Sequence, residues 1–358
     1  MPGKVFVAMS GGVDSSVAAL LLKEKGYDVT GITMQIWPLE KEQNKTCCGL
    51  DAISDARRVA WALDIPHYVM NFRDAFMSRV VDPFCQEYVR GRTPNPCIAC
   101  NRYIKFEEFL QKSLAMGADY IATGHYARIR YDQAAGEYQL QTALDSSKDQ
   151  SYALYGLNQT QLKHTLFPVG ELLKIEVRDI ARARGLAVAE KAESQEICFV
   201  ETGHYADFVE KHLGCKTNMG LIMDMSGRVL GSHPGVHHYT IGQRKGLGLA
   251  LGSPAYITGL DAQTNTVWVG SDRDLYRYSL VAEDLNFVSG IIPDRNQKIC
   301  AKIRYTARAM PATLVPLGVD IVRVDFEAPQ RAITSGQAVV FYKEAEVLGG
   351  GTISSIIR

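Results

Sequence analysis

Two groups of residues in this chain could do chemistry, and they lie far apart in sequence. The first is "VFVAMSGGVDSSVAALLLKEKG", Val5 to Gly26, an apolar run that breaks at Ser10 into two glycines and then opens a helical pattern. A strand ending in a glycine turn at a helix N-terminus offers unpaired backbone N–H groups and the positive end of the helix dipole, which suit an anion. Ser10, Ser15 and Ser16 add hydroxyls, and Asp14 is placed to cap the helix or hold a magnesium ion. The Gly-Lys-Ser/Thr ending of a P-loop is missing, and so is G-x-G-x-x-G. The expected ligand is a phosphate, held neither as in a γ-phosphoryl transferase nor as in a dinucleotide site.

The second group is made of cysteines. "GRTPNPCIACNRYIKFEEFL" sets Cys97 and Cys100 in what reads as a proline-braced loop just before a helix. Pro94 and Pro96 stiffen that loop, and a helix N-terminus favours a thiolate. Between Arg90 and Lys105, Arg90, Arg92, Arg102 and Lys105 occur with no carboxylate among them, a local basic strip. Far downstream, "EKAESQEICFVETGHY" carries Cys198 in a short apolar segment among acids. By itself such a cysteine reads as a small core residue; its interest lies in pairing with the first two. Cys97, Cys100 and Cys198 are three soft ligands with a coordination position to spare. That number suits a [4Fe–4S] cluster, whereas zinc would need a fourth ligand, for which His204 is the nearest candidate in sequence.

The elements that must position these groups follow a regular order. "VFVAM", "DVTGITM", "HYVMNF" and "DYIATGHYARIR" alternate with helical patterns such as "DAISDARRVAWALD" and "KFEEFLQKSLAMG". Strands alternating with helices predict an α/β catalytic domain, a doubly wound parallel sheet, over 1–202. Ligands of such sheets sit at the carboxyl ends of the strands, where Ser10 to Asp14, Met34 to Trp37, and Gly124 with His125 all fall. Short runs between Gly, Asn and Asp turns predict a small β-rich central domain over 203–275. Six or so further strands predict a C-terminal β-barrel over 276–358. In the central part, "YTIGQRKGLG" presents Arg244 and Lys245 among small residues, a candidate phosphate-contacting loop.

Composition sets limits. The 358 residues are 46% hydrophobic, and 39 basic residues balance 39 acidic ones, so only local patches could attract a polyanion. No apolar run approaches the roughly 20 residues of a membrane span. Eight cysteines in this length are too few for a secreted disulfide scaffold, and the chain reads as cytoplasmic.

"SGGVDSS" resembles the pyrophosphate (PP) loop of the N-type ATP pyrophosphatases, which cleave ATP between its α- and β-phosphates; a loop of that kind needs no P-loop lysine. Together with "GRTPNPC-x-x-CN-x-x-IKF", "ATGHYAR", "KDQSYAL", "ICFV", "YTIGQRKGLG", "KIRYTA" and "SGQAVVFY", it makes nearly the whole chain resemble the bacterial tRNA-specific 2-thiouridylases. The resemblance implies ATP-dependent replacement of the C2 oxygen of the uridine in the first anticodon position by sulfur. It implies Cys100 as nucleophile and Cys198 as persulfide carrier. It places ATP on Ala8, Met9, Ser10, Gly11, Gly12, Val13, Asp14, Ser15, Met34 and Gly124, with Mg2+. The target base would lie beside Asn95, Pro96 and Cys97, and tRNA would touch His125, Lys148, Asp149, Gln150, Arg304, Tyr305 and Gln337. A sulfur-relay protein or cysteine desulfurase is implied as persulfide donor, and a monomer is expected.

One departure is Cys97, where many relatives carry Asp. It leaves the sulfur carrier open between a persulfide and a three-cysteine [4Fe–4S] cluster. An ATP-dependent amide ligase with the same loop is a competing reading, but no glutaminase-like segment accompanies it and Cys100 would lack a task. The non-enzymatic alternative is a redox-sensing RNA-binding protein, which tRNA-dependent pyrophosphate release would exclude.

Overall fold

The computed structural model describes residues 2–37, 50–192, 197–200, 205–214 and 218–357. His204 and the expected boundary at 202/203 lie outside them. In the N-terminal part, β1 (Lys4–Ala8), β2 (Asp28–Gln35), β3 (His67–Asn71), β4 (Tyr120–Ala122) and β7 (Thr165–Leu166) form one parallel sheet in the order β3-β2-β1-β4-β7. β1 is central and buried on both faces, which is why it reads as an unbroken apolar run. Its alternating side chains supply two cores. Phe6 and Ala8 join the helices over 73–115, whereas Val5, Val7 and Met9 pack against α1 (Val13–Glu24) and its neighbours.

"DYIATGHYARIR" is not one strand. It stops at Ala122, turns through Thr123–Tyr126, and resumes as β5 (Ala127–Asp132), which pairs with β6 (Glu137–Thr142) outside the parallel sheet. The central β-rich unit is a four-stranded sheet of β8 (Gly220–Asp224), β9 (Val229–His233), β10 (Tyr256–Asp261) and β11 (Thr266–Gly270) around a small core.

The last six strands are β12 (Tyr276–Phe287), β13 (Gln297–Lys302), β14 (Met310–Pro316), β15 (Ile321–Arg331), β16 (Ala338–Lys343) and β17 (Glu346–Ile357). Pairing of β12 with both β15 and β17 closes them into a barrel. β6 then adds to β17, with Val347 opposite Leu140, so a hairpin of the α/β domain extends the barrel's sheet. Leu140, Val340, Tyr342 and Val347 belong to the same core cluster as Phe6 and Phe106. The first and last parts of the chain therefore share a core.

Candidate functional site

The anion loop forms where expected, at the carboxyl edge shared by adjacent strands β2, β1 and β4. Met9 is buried, and its backbone is committed: its N–H donates to Ile32 O at 2.8 Å and its carbonyl accepts from the Thr33 hydroxyl. Ser10 is exposed and begins the turn. Asp14 is not the helix cap. Gly12 holds that position without a side-chain cap bond, while the Ser15 and Ser16 hydroxyls donate back to its carbonyl at 3.1 and 2.8 Å. Gly124 is required by close approach, since a Cβ there would stand 2.5 Å from the Ser15 nitrogen.

Asp14 has partners the sequence did not disclose. Lys174, the first residue of the helix Lys174–Ala183, donates its ammonium to both carboxylate oxygens at 2.7 and 2.8 Å, and the Tyr126 hydroxyl donates to Oδ1 at 2.8 Å. The lysine missing from the loop thus arrives from 160 residues away. In "GELLKIEVRD" it looks like an ordinary helix start, so no local pattern marks it; Tyr126 at least lies inside "ATGHYAR". Lys191 also reaches the loop, donating to Gly11 O at 3.0 Å.

The thiol segment differs from expectation. Cys97 and Cys100 sit within a helical run over 96–115, not in a loop ahead of it. Pro96 takes the first helical position, and Asn95 caps the run by accepting from the Cys97 and Ile98 N–H groups at 3.1 and 3.4 Å. Proline lacks the N–H that a first turn would leave unused, which is why the brace becomes the helix start. From Cys100 to Glu108 the winding is π-helical, a form that often marks functional sites. Cys97 is exposed, whereas Cys100 and Cys198 are half-buried against the core shared with Phe199. Phe199, next to Cys198, packs among Trp37, Phe76, Phe84 and Phe208, with ring centroids 5.2–6.3 Å away.

Three side chains tie this helix to its surroundings. Asn101 donates to Ala153 O at 2.9 Å, and Arg102 pairs with Asp284 of β12 at 2.9 Å. Lys105 lies 3.5 Å from His125 Nε2, while His125 Nδ1 is 2.7 Å from the Thr123 hydroxyl. Burial first, then the Lys105 charge, pushes the His125 pKa well below the ordinary histidine value, so the ring is neutral. The nucleotide edge and the thiol helix therefore meet at Lys105 and His125.

The basic strip is partly compensated, two acids against four cations. Glu87 pairs with Arg90 at 3.1 Å and Arg92 at 2.8 Å, and Asp284 takes Arg102. Those acids lie outside the sequence window, upstream by three residues and in the barrel.

Several residues expected at tRNA have structural work. Asp149 accepts from the Ala143 N–H and from the Ser151 N–H and hydroxyl; Gln150 accepts from Tyr126 N at 2.9 Å. Lys148, in the same turn, is half-buried. Arg304 is half-buried and donates to Ala332 O at 3.1 Å, while Tyr305 is exposed. Arg244 and Lys245 are exposed as well. Gln337 turns inward and donates to Thr93 O and Pro94 O at 2.8 and 3.4 Å; alongside it, Thr93 N donates to Ser335 O at 2.9 Å. Between them Gly336 has φ +88°, and a Cβ would stand 2.9 Å from Thr93 N. Only glycine suits both the backbone angle and the space.

Among the described residues, no helix is long and apolar enough to cross a membrane.

Comparison with known proteins covers the whole chain. Residues 3–202 match the tRNA methyl transferase HUP domain, 206–271 the tRNA methyl transferase PRC-barrel domain, and 277–353 the aminomethyltransferase beta-barrel domain. Proteins described as tRNA-specific 2-thiouridylase MnmA are similar throughout. The one from Clostridium perfringens is 53% identical over 99% of both chains. That from Moorella thermoacetica is 54% identical over 98% of this chain and 99% of its own. A solved 4-thiouridine synthetase–RNA complex with bound ATP aligns at a TM-score of 0.37 and 16% identity, over 55% of this chain and 45% of that one, too slight a likeness to weigh.

Proposed function

This chain belongs to the family of tRNA-specific 2-thiouridylases, and we propose how its residues divide that reaction between an adenylating edge and a sulfur-carrying helix. The enzyme is a tRNA sulfurtransferase of the PP-loop class that makes 2-thiouridine in tRNA at the expense of ATP. The C2 carbonyl of uracil is amide-like, and its oxygen is a poor leaving group. Attack of that oxygen on the α-phosphorus of ATP forms an O-adenylate and expels pyrophosphate. The loop from Ser10 to Ser15 would grip the departing pyrophosphate with backbone N–H groups, and Lys174 would supply the fixed positive charge. Magnesium would be held by the nucleotide phosphates beside Asp14, whose two oxygens also accept from Lys174, and would offset the charge of the departing pyrophosphate.

Sulfur follows. Cys198 carries a persulfide, Cys–S–SH, loaded by a donor protein. The Cys100 thiolate attacks the inner sulfur, the S–S bond of the persulfide breaks, and hydrosulfide leaves, so that a Cys100–Cys198 disulfide forms. Hydrosulfide adds to C2, AMP departs, and an external dithiol returns both cysteines to thiols. Asn95, Pro96 and Cys97 would stand beside the base, which must leave its stack to be reached. Of these, Cys97 is the exposed one. Lys148, Tyr305, Arg244 and Lys245 would meet tRNA phosphates, with affinity falling as salt rises despite zero net charge. The enzyme is read as cytoplasmic and monomeric.

The observation that carries this division is the capped helix start: Asn95 and Pro96 fix Cys97 and Cys100, and Lys105 of the same helix reaches His125 at the nucleotide edge. A second reading is favoured by Cys97. Its thiolate, with those of Cys100 and Cys198, is a donor set that fits a [4Fe–4S] cluster whose open iron would carry an extra sulfide for transfer. Cys97→Asp separates the two. Under the persulfide reading the variant keeps substantial thiolation in an iron-free preparation. Loss of thiolation together with loss of protein-bound iron would transfer the sulfur role to a cluster. Failure of wild-type protein to release pyrophosphate in a tRNA-dependent way would sink both.

A further inference from the structure

The helix Tyr205–Leu213 bridges two parts of the molecule. Tyr205 and Phe208 pack on Tyr88 and Phe84 of the α/β domain, and His212 pairs with Asp82 at 2.7 Å. On the other side Glu210 meets the central β-rich unit at a single helical turn, Val236–His238. There two consecutive histidines aim at one oxygen: His237 Nε2 lies 3.2 Å and His238 Nε2 2.8 Å from Glu210 Oε1. Their rings stand 4.5 Å apart, tilted by 47°. Among the described residues this is the one set of three His, Cys, Asp or Glu side chains whose ligating atoms all lie within 4.8 Å of one another.

We infer that Glu210, His237 and His238 bind one divalent cation of the zinc type, with water as fourth ligand. Tetrahedral zinc with bonds of about 2.0–2.1 Å separates its ligand atoms by about 3.3 Å, so the two nitrogen–oxygen spans here are already close to the edges of such a site. Two imidazoles and one carboxylate favour a first-row transition ion over magnesium, which prefers oxygen alone. Such an ion would fasten the helix that follows Cys198 to the unit bearing Arg244 and Lys245. It stands apart from the thiol chemistry and does not depend on the division of labour proposed above.

The test uses the full-length chain carrying Cys97→Ser, Cys100→Ser and Cys198→Ser, so that those thiolates cannot hold the metal. The protein is stripped with a chelator and titrated with Zn2+ against a chromogenic competitor, and with Co2+ to read tetrahedral absorption bands. One equivalent of zinc should bind. His238→Ala and Glu210→Gln should each weaken it at least about a hundredfold, since even outer-shell changes around a metal cost up to that order. Both side chains are partly exposed, so these variants should fold, which circular dichroism checks. Absence of zinc binding in the triple-serine protein overturns the inference. So does binding that is unchanged in folded His238→Ala, because the metal would then lie elsewhere and the two imidazoles would simply share a carboxylate.

Discussion

The nucleotide edge and the thiol helix are built in opposite ways. The nucleotide edge is self-contained. Its strands pair within one parallel sheet, its turn is closed by hydroxyls three and four residues away, and Asp14 is held by Lys174 and Tyr126 of the same domain. The thiol helix instead leans on a barrel that begins about two hundred residues later. Thr93 and Pro94, just ahead of its cap, hang from Ser335 and Gln337, and Arg102 is anchored by Asp284. The difference suggests that ATP cleavage needs only the first domain's geometry, whereas sulfur delivery also needs the barrel to be seated.

The largest effect should come from the thiols. Cys100→Ser, or Cys198→Ser, should lower 2-thiouridine formation by on the order of 10³ or more, because an oxygen nucleophile cannot exchange sulfane sulfur. tRNA-dependent pyrophosphate release, measured in parallel, should stay close to wild type. A parallel collapse of that release would show that the two regions are not separable.

Next comes Lys174→Met. Loss of the charge beside Asp14 should slow pyrophosphate release by roughly 10²–10³, the usual cost of removing a fixed group at developing charge. Binding of tRNA in a filter or anisotropy assay should be unchanged. Normal ATP cleavage in this variant would remove Lys174 from the chemistry.

Gln337→Ala sharpens the comparison most directly. It strips the side-chain donor from two backbone carbonyls of the thiol segment while leaving the nucleotide edge untouched. Thiolation should fall by about tenfold, in line with the loss of one or two hydrogen bonds of roughly 1 kcal/mol each. Pyrophosphate release should not change. Equal losses in both assays would mean that Gln337 acts on tRNA binding, its other expected role.

The smallest effect concerns pH. Folded His125 has a pKa below its unfolded value, so it binds fewer protons folded than unfolded. Its contribution to stability is therefore whole above about pH 6.5 and drains away as the pH falls through that value toward the lower folded pKa. Thermal unfolding followed between pH 7.5 and 5.5 should show a shallower acid slope in His125→Gln than in wild type. An unchanged slope would place the acid sensitivity in other histidines, such as half-buried His67 and buried His233, whose pKa values are also pushed down by desolvation.

Much of this protein was readable from its sequence because the deciding signals are local. The unbroken run of β1, the Ser-Gly-Gly turn and the opening of α1 occupy one continuous stretch, and backbone geometry makes such a stretch a candidate phosphate turn. The regular strand–helix alternation likewise determines a parallel sheet, and short strands between turn residues determine the barrel. The prolines ahead of Cys97 were legible as a brace, although the helix start made by Pro96 and its Asn95 cap depended on where the chain turned.

Tertiary structure alone decided what lies between these stretches. Lys174 reaches Asp14 only because the helix it begins packs beside α1, and nothing in "GELLKIEVRD" records that neighbour. Glu87 and Asp284 pair with three arginines of the basic strip and halve its charge, because charge is compensated in space, not along the chain. The break of "DYIATGHYARIR" into β4 and β5 has the same origin. Hydrogen bonds to β6, and from β6 to β17, give its second half partners in the barrel's sheet. A strand pattern specifies that a segment needs neighbours; only the folded chain specifies which ones.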